Sequence, residues 1–345
     1  MILTYRFRIK SNTKALERQA RAINFVWNYC NETQRKAVKD GRKWLSDIDL
    51  MKLTSGTSKE LGLLATSINQ ICKFHYDARK QHKKAWLKFR GIRTLGWIPF
   101  RAENIRFIKG KFIFKAAPYS VFGYREFPDG AKIKDGGSFS QDAKKRWYLN
   151  IVIEIPEPKI NQVQNPIGID LGLKTTATLS NGEKIDAQNF FRKQENRLAQ
   201  AQRGNKRKIA RSIHSKIANK RKDFLHKTSN RLTKQFNQIY VGDVSSSGLA
   251  KTNLAKSVYD SGWYAFKKML AYKSIRNGGT FKEVSERFTT QTCSQCGSIG
   301  GPKGYAGLNE RMWGCSCGAV HDRDVNAALN ILRLATQSPA QGVEL

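Results

Sequence analysis

The sequence of 345 residues has few acidic side chains and lacks several features that define common protein classes. It has no run of 18 apolar residues, which excludes a membrane-spanning helix. Its first ten residues lack the apolar core of a signal peptide, so we expect a cytoplasmic protein. Internal repeats and low-complexity tracts are also missing.

The shortage of acids leaves a strongly positive chain, because 27 Asp and Glu face 62 Lys and Arg. A formal net charge of +35 favours unfolding through self-repulsion and is unusual for an enzyme of small metabolites. Since 40% of the residues are hydrophobic and 10% aromatic, the chain can still form cores and is not a disordered basic tail. The composition therefore predicts a folded protein that binds nucleic acid.

Only six cysteines are present, and their distribution predicts a metal site rather than disulfide bonds. Two of them, Cys30 and Cys72, stand alone in helical patterns and are expected in the core. The other four follow the pattern CxxC, 18 further residues, and CxC, which predicts a structural Zn²⁺ ribbon. His321 is an alternative ligand, because the second pair is one residue shorter than usual. The predicted ligands are Cys293, Cys296, Cys315 and Cys317.

The hydrophobic pattern changes along the chain. Residues 1–10 alternate as in a strand, residues 13–89 have helical periodicity with a short extra helix inside, and residues 95–157 form short strands. We interpret the strands as a small barrel that includes the first strand, with the helices inserted. A polar linker bracketed by prolines at 156–166 separates this part from a mixed α/β sheet. Its expected strands are 167–170, 175–179, 238–244 and 281–286, and its expected helices lie within 192–234, 254–276 and 322–334.

Three acids lie where such a sheet could bring them together. Asp170 and Glu286 are placed at strand ends, and Asp324 starts the last helix. Three converging carboxylates repel one another unless cations such as Mg²⁺ lie between them. Two such ions are the usual means of hydrolysing a phosphodiester.

Each acid also has a structural alternative. Asp322 and Asp324 could cap the final helix, where its dipole favours negative charge. Asp170 could stabilise a turn, and Glu286 could pair with Arg287 or Lys282. The spacing alone does not separate these roles from catalysis.

Four motifs resemble TnpB, the family of RNA-guided nucleases that is encoded by insertion sequences and ancestral to type V CRISPR effectors. They are IGIDLGLK at 167–174, VGDVSS at 241–246, TTQTCSQCG at 289–297 and GAVHDRDVNAA at 318–328. The resemblance implies an RNase H-like (RuvC) α/β nuclease domain with an inserted zinc ribbon, preceded by a wedge β-barrel domain that carries a helical recognition insertion. The implied boundaries are 1–10 and 95–160 for the wedge, 11–94 for the recognition domain, 161–290 and 320–335 for the nuclease, 291–319 for the ribbon, and 336–345 for a loose tail.

The same resemblance implies a function. It is an RNA-guided DNA endonuclease that cleaves target DNA beside a short flanking motif with two Mg²⁺ ions and is associated with a transposable element. Its partners would be a guide RNA from the element's own end and double-stranded target DNA, with a monomer favoured and no membrane involved. The alternatives are a catalytically silent guided repressor of the same architecture and a DNA transposase.

The resemblance also implies a metal-binding triad of Asp170, Glu286 and Asp324. Many TnpB members carry the second acid at the position of Gly242, which is followed here by Asp243. A subgroup with this form takes the acid from the next strand, at the position of Glu286. Asp243 is the reserve candidate.

Basic residues cluster in residues 192–234, which hold 15 Lys and Arg against two acids. Such a charge neutralises phosphates and makes binding sensitive to salt. A second strip is expected in the helical region, at Arg79, Lys80, Lys83, Lys84, Lys88 and Arg90. The residues predicted to bind nucleic acid are Arg6, Arg8, Lys80, Lys84, Arg203, Lys206, Arg207, Lys208, Arg211, Lys220 and Arg221.

Overall fold

The computed structural model describes residues 1–156, 158, 164–249, 251–303 and 306–337. The chain divides into two compact units, residues 1–156 and residues 157–345. Most of the predicted linker and residues 338–345 of the predicted tail lie outside the described residues. Within the described ranges, no helix is long and apolar enough to cross a membrane.

The first unit inserts three helices between its first strand and the rest of its sheets. A five-stranded sheet has the order β2-β7-β8-β1-β6, and a separate sheet has the order β3-β4-β5. The first strand pairs antiparallel with the last, with Leu3 opposite Ile153 and Phe7 opposite Leu149. The elements are β1 (Ile2–Ile9), α1 (Thr13–Lys39), α2 (Asp47–Leu53), α3 (Ala65–His82), β2 (Trp97–Phe100), β3 (Ile105–Ile108), β4 (Lys111–Phe114), β5 (Ala117–Tyr119), β6 (Val121–Phe122), β7 (Lys132–Gln141) and β8 (Trp147–Glu154).

The core of this unit follows the two periodicities of the sequence. Helix α1 buries Leu16, Ile23 and Cys30 at helical spacing, and strand β8 buries every second residue from Trp147 to Ile153. Cys72 of α3 is also buried, with its Sγ 3.8 Å from that of Cys30. Both thiols are free, so the prediction of core cysteines is confirmed.

Helix α3 ends earlier than the sequence predicts. It stops at His82, and Lys83 adopts the left-handed conformation with φ of 50°. The predicted basic strip also loses Arg79, which is buried and donates a hydrogen bond from Nη2 to the carbonyl of Leu45 at 2.6 Å. The prediction of a basic strip is therefore wrong at Arg79, because this residue lies on the face of α3 that packs on α2 and not on the face exposed to solvent.

The second unit is built on the predicted mixed sheet, with the order β11-β10-β9-β12-β13. The first three strands are antiparallel neighbours, while β12 runs parallel to both β9 and β13. The elements are β9 (Pro166–Asp170), β10 (Thr175–Leu179), β11 (Lys184–Asp186), α4 (Glu195–Arg203), α5 (Arg207–Gln235), β12 (Gln238–Gly242), α6 (Ser246–Leu249), α7 (Ala255–Ser261), α8 (Trp263–Arg276), β13 (Thr280–Val284), β14 (Met312–Gly314), β15 (Val320–Asp322) and α9 (Arg323–Gln337).

Glycines shape this unit at two points. The helix predicted over 254–276 is broken at Gly262, whose φ of 67° ends α7 before α8 begins. At Gly168 on β9, an added Cβ would lie 2.2 Å from the carbonyl oxygen of Ala328. Helix α9 therefore packs directly on β9, and this contact brings their acidic ends together.

Candidate active site and metal centre

The carboxylate cluster starts with Asp170 at the end of β9. Burial and the nearby charges of Glu286 and Asp324 raise the pKa of Asp170 to about 8, against the opposing effect of Arg323 and Arg311. The charges of Glu286 and Asp324 are therefore close enough to Asp170 to disfavour its ionisation. Sharing one site in this way is typical of groups that bind a cation or move a proton.

Glu286 lies two residues beyond the end of β13, not within the strand as the sequence predicts. Its backbone N–H donates to Asp243 Oδ1 at 3.1 Å, and the N–H of Asp243 donates to the carbonyl of Val284 at 2.9 Å. Burial, followed by the charge of Asp243, raises the pKa of Glu286 to about 7. Its Oε1 is buried and has no hydrogen-bond partner among the described residues.

Gly242 explains how the Glu286 side chain fits at this place. A Cβ at position 242 would lie 2.0 Å from Oε1 and 2.6 Å from Cγ of Glu286. Any side chain at Gly242 would therefore displace the glutamate. Asp243, the next residue, is exposed, and its Oδ1 holds the backbone of Glu286.

At the start of α9, Asp322 and Asp324 have different roles. Asp322 Oδ1 accepts hydrogen bonds from the backbone N–H groups of Asp324 and Val325, each at 3.1 Å, and thus fills the capping role. Asp322 Oδ2 accepts from Lys184 Nζ at 2.6 Å. Both carboxylate oxygens of Asp324 instead accept from Arg311 Nη1, at 3.0 and 2.9 Å.

The acids fit a divalent cation. Their donor set consists of carboxylate oxygens, which Mg²⁺ prefers. The unpartnered Oε1 of Glu286 is a buried acceptor that a cation would satisfy. The raised pKa of Asp170 indicates that its charge is poorly compensated by the side chains around it.

The four clustered cysteines come together as predicted, with all four Sγ atoms within 4.8 Å of one another. The Cys293–Cys317 sulfurs are 3.8 Å apart and the Cys296–Cys315 sulfurs are 3.6 Å apart. A tetrahedron with Zn–S bonds of about 2.3 Å has S···S edges of about 3.8 Å, so the set fits zinc. His321 is buried, and its Nε2 lies 3.0 Å from Cys293 Sγ.

The local backbone supports this cluster. Gly297 and Gly318 follow the two cysteine pairs with φ of 81° and 86°, which allows the tight turns. The backbone N–H of Cys317, and then the hydroxyl of Ser298, lower the pKa of Cys315 to about 5. That thiol is therefore predisposed to the thiolate form that binds metal.

Two asparagines that we did not predict as site residues connect the cysteine loop to α9. The amide Nδ2 atoms of Asn326 and Asn330 both donate to the backbone carbonyls of Thr289 and Thr292. Asn326 Oδ1 accepts from the backbone N–H of Ser294 at 2.9 Å. Both side chains are buried, and their spacing of four on one helix face was the available signal.

Most of the predicted basic residues are accessible. Arg221 differs, because its Nη2 lies 2.8 Å from Oδ1 of Asp260, whose side chain is only 7% exposed. On β1, the guanidinium of Arg6 stacks 3.9 Å above the ring of Tyr148, and that of Arg8 lies 4.9 Å from the ring centre of Phe122. The exposed residues are Arg6, Arg8, Lys80, Lys84, Arg203, Lys206, Arg207, Lys208, Arg211 and Lys220.

Two family models match most of the second unit, and one of them begins in β8 of the first unit. The model described as "Probable transposase" matches residues 150–253, and "Cas12f1-like, TNB domain" matches residues 263–331. A "Putative RNA-guided DNA endonuclease" of Streptomyces pristinaespiralis is 29% identical over 99% of this chain and 85% of its own length. These matches agree with the motifs in the sequence and make the chain similar to the TnpB family.

Other relatives match over shorter regions. The "Putative RNA-guided DNA endonuclease InsQ" of Escherichia coli (strain K12) is 32% identical, and the match covers 54% of this chain and 53% of InsQ. The "CRISPR-associated endodeoxyribonuclease Cas12f1" of Sulfoacidibacillus thermotolerans is 24% identical over 55% of this chain and 50% of its own length. The protein chain of a solved Cas12f1-sgRNA-target DNA complex aligns with 96% of this chain at 16% identity, with a TM-score of 0.39.

Proposed function

We propose that this protein is an RNA-guided DNA endonuclease that hydrolyses phosphodiesters at Asp170, Glu286 and Asp324. The observation that carries the proposal is the burial of Asp170 beside the charges of Glu286 and Asp324, which together raise its pKa to about 8. The names of two relatives, from Streptomyces pristinaespiralis and Escherichia coli, describe the same activity. A silent repressor is not favoured, since no acid of the set is missing.

The strand order of the second unit supports an RNase H-like nuclease domain. Three antiparallel strands are followed by two strands parallel to the first, and the acids lie at β9, beyond β13 and on α9. We assign the cysteine insertion to a target-binding zinc ribbon. By the same resemblance, the two sheets of the first unit form the wedge domain and its three helices form the recognition domain.

The three acids would hold two Mg²⁺ ions, which supply an activated water and stabilise the leaving 3′ oxygen. Asp170 and Asp324 are held in register by the packing of α9 on β9 at Gly168. Glu286 would bind through the acceptor oxygen that has no partner in the described part of the chain. Asp243 supports the backbone of Glu286, so we propose it as a positioning residue and not as the third ligand.

The basic helix α5 supports binding to nucleic acid. Its first turn holds Arg207 and Lys208 and no acid, although the positive end of a helix dipole disfavours cations. Charges kept at an unfavourable place are best explained by an anionic partner. We therefore propose that this end of α5, with Arg203 and Lys206 before it, binds phosphates of the guide RNA or target DNA.

Cleavage by the protein purified with its own bound RNA tests the function. The RNA is sequenced, and matching duplex DNA with a randomised flank is offered with and without Mg²⁺. Wild type is compared with Asp170→Ala, Asp243→Ala, Glu286→Ala and Asp324→Ala. We expect Mg²⁺-dependent cutting by wild type and, among the variants, by Asp243→Ala.

Two other outcomes would change the proposal. Cutting by Glu286→Ala but not by Asp243→Ala would move the second carboxylate to Asp243 and keep the enzyme. Binding of the matched DNA without cutting would identify a guided repressor instead.

A further inference from the structure

The side chain of Arg311 is hydrogen-bonded to the carboxylate of Asp324, which the proposed function assigns to a metal ion. Its Nη1 lies 3.0 Å from Oδ1 and 2.9 Å from Oδ2 of Asp324, so both oxygens of that acid share one cation. A divalent ion bound by Asp324 needs at least one of these oxygens. The guanidinium and the ion are both cations, so they would compete for the same atoms.

The backbone of Arg311 is fixed while its side chain is accessible. The residue precedes β14 inside the cysteine insertion, and its carbonyl accepts a hydrogen bond from the N–H of Arg323 at 2.8 Å. The Arg311 side chain is 42% exposed, compared with 20% for Asp324. The guanidinium can thus leave the carboxylate for water without movement of the strand.

The neighbouring cations have other partners. Arg323 donates from Nη1 to the carbonyl of Gly307 at 2.8 Å, and Lys184 donates to Asp322 at 2.6 Å. Arg311 is consequently the side chain whose charge is aimed at Asp324. When no ion is bound, this pair reduces the repulsion among the three acids.

We propose that Arg311 is a displaceable counter-ion, which a divalent metal must remove from Asp324 before the site is complete. The proposal rests on the metal-binding role of the acids in the proposed function. Arg311 belongs to the loop between the two cysteine pairs, so the ribbon would set the metal affinity of the nuclease site. Removing the guanidinium should make divalent ions bind more tightly, by about fivefold, since a partly exposed ion pair contributes about 1 kcal/mol at most.

Titration of Mn²⁺ into the zinc-loaded full-length protein, without RNA or DNA, tests the proposal. Free Mn²⁺ is followed by electron paramagnetic resonance for wild type, Arg311→Gln and Arg311→Met. Lys184→Gln is the matched control, because it removes one positive charge beside the same helix start without touching Asp324. We expect tighter Mn²⁺ binding in both Arg311 variants, a smaller change in Lys184→Gln, and no gain when Arg311→Gln is added to Asp324→Asn.

Unchanged or weaker Mn²⁺ binding in the Arg311 variants would overturn the proposal, as would an equal gain in Lys184→Gln. Zinc content and thermal melting check that each variant is folded. If Arg311→Gln loses its zinc, the result for Arg311→Met is used instead, because methionine keeps an apolar side chain of similar length. Wild type that binds no Mn²⁺ at the acids, with Asp170→Asn and Asp324→Asn indistinguishable from it, would instead contradict the proposed function. A wild type that binds Mn²⁺ through these acids but is insensitive to Arg311 contradicts this inference alone.

Discussion

The Glu286 carboxylate fills the space next to Gly242, where an added Cβ would lie only 2.0 Å from Oε1. The two residues sit on adjacent segments, since Gly242 ends β12 and pairs with Val284 of β13. One acid and one missing side chain therefore define the second position of the proposed triad. The relationship makes the identity of residue 242 as important for the site as that of residue 286.

Gly242→Ala should reduce DNA cleavage strongly, by about a hundredfold or more, because the methyl group displaces a carboxylate that needs accurate placement. Single-turnover cleavage at saturating Mg²⁺ measures the effect. Gly248→Ala is a matched control: Gly248 belongs to the short helix α6, and its added Cβ would come no closer than 3.2 Å to a flexible serine side chain. Full activity in Gly242→Ala would contradict a role for Glu286.

Moving the acid should restore part of the activity. The double change Gly242→Glu with Glu286→Ala returns a carboxylate to nearly the same place from the neighbouring strand. We expect Glu286→Ala to be inactive and the double variant to recover measurable Mg²⁺-dependent cleavage. If the double variant is as inactive as the single one while both fold, the two positions do not serve one ligand.

Metal-free stability should fall as the pH rises, because of Asp170. Its pKa is about 8 in the folded protein and about 3.9 in an unfolded chain, so the folded state holds a proton that the unfolded state has lost between these values. Stability therefore decreases with pH through that window. Asp170→Asn removes this loss and should raise the melting temperature at pH 8, by roughly 2–4 °C for each kcal/mol regained.

The comparison uses zinc-loaded protein in buffer without other divalent ions, melted between pH 5 and pH 8. Asp129→Asn, which changes an exposed acid, is the control for loss of a charge. The difference in melting temperature between wild type and Asp170→Asn should grow with pH. A difference that is the same at both ends of the range would rule out this titration.

His321 should tune the zinc site without being required for it. Its Nε2 lies 3.0 Å from Cys293 Sγ, while the four sulfurs form a complete set. We expect His321→Ala to keep zinc but to lower the affinity about 10- to 100-fold, as for other side chains that support a ligand. Competition with a chromophoric chelator gives the affinity.

Cys317→Ser is the comparison variant for this measurement, and it should lose the metal. The opposite result, with zinc retained in Cys317→Ser and lost in His321→Ala, would make the histidine a ligand in place of that cysteine.

The exposed end of α5 should account for part of the salt dependence of RNA binding. Changing Lys206, Arg207 and Lys208 to Gln should weaken binding and reduce the slope of log K against log salt by roughly two to three units. The control changes three cations near the other end of the helix, two of which are paired with acids, Lys227 with Asp223 and Arg231 with Glu183. The third control residue is Lys234. Equal losses in the two triple variants would argue against a specific contact.

Sequence periodicity and spacing were sufficient where local chemistry decides the structure. The cysteine pattern predicts the four-sulfur cluster, because each pair sits in a glycine turn that needs no distant partner. Asp170 and Asp324 could be placed since a strand end and a helix start are local features. The central sheet likewise follows from short buried strands with turns between them.

Features that depend on distant contacts could not be read in this way. Arg79 lies on the buried face of α3, four residues after His75, although its charge favours a surface position, and its guanidinium finds a partner in the distant carbonyl of Leu45. Arg221 belongs to a dense basic run, but its partner Asp260 lies 39 residues away in sequence. The pairing of Arg311 with Asp324 has no signature in the sequence, because it depends on how the segment between Cys296 and Cys315 folds back towards α9.

The pairing of β1 with β8 also determines when the first sheet can form during translation. Leu3 finds its partner Ile153 only when the whole first unit has left the ribosome, whereas α1 and α3 can meet much earlier. The nascent chain thus carries an unpaired strand and a basic, half-formed surface until β8, which ends at residue 154 of 345, has emerged. Chaperones, or the RNA to which such a charge is attracted, have that interval in which to bind before the sheet closes.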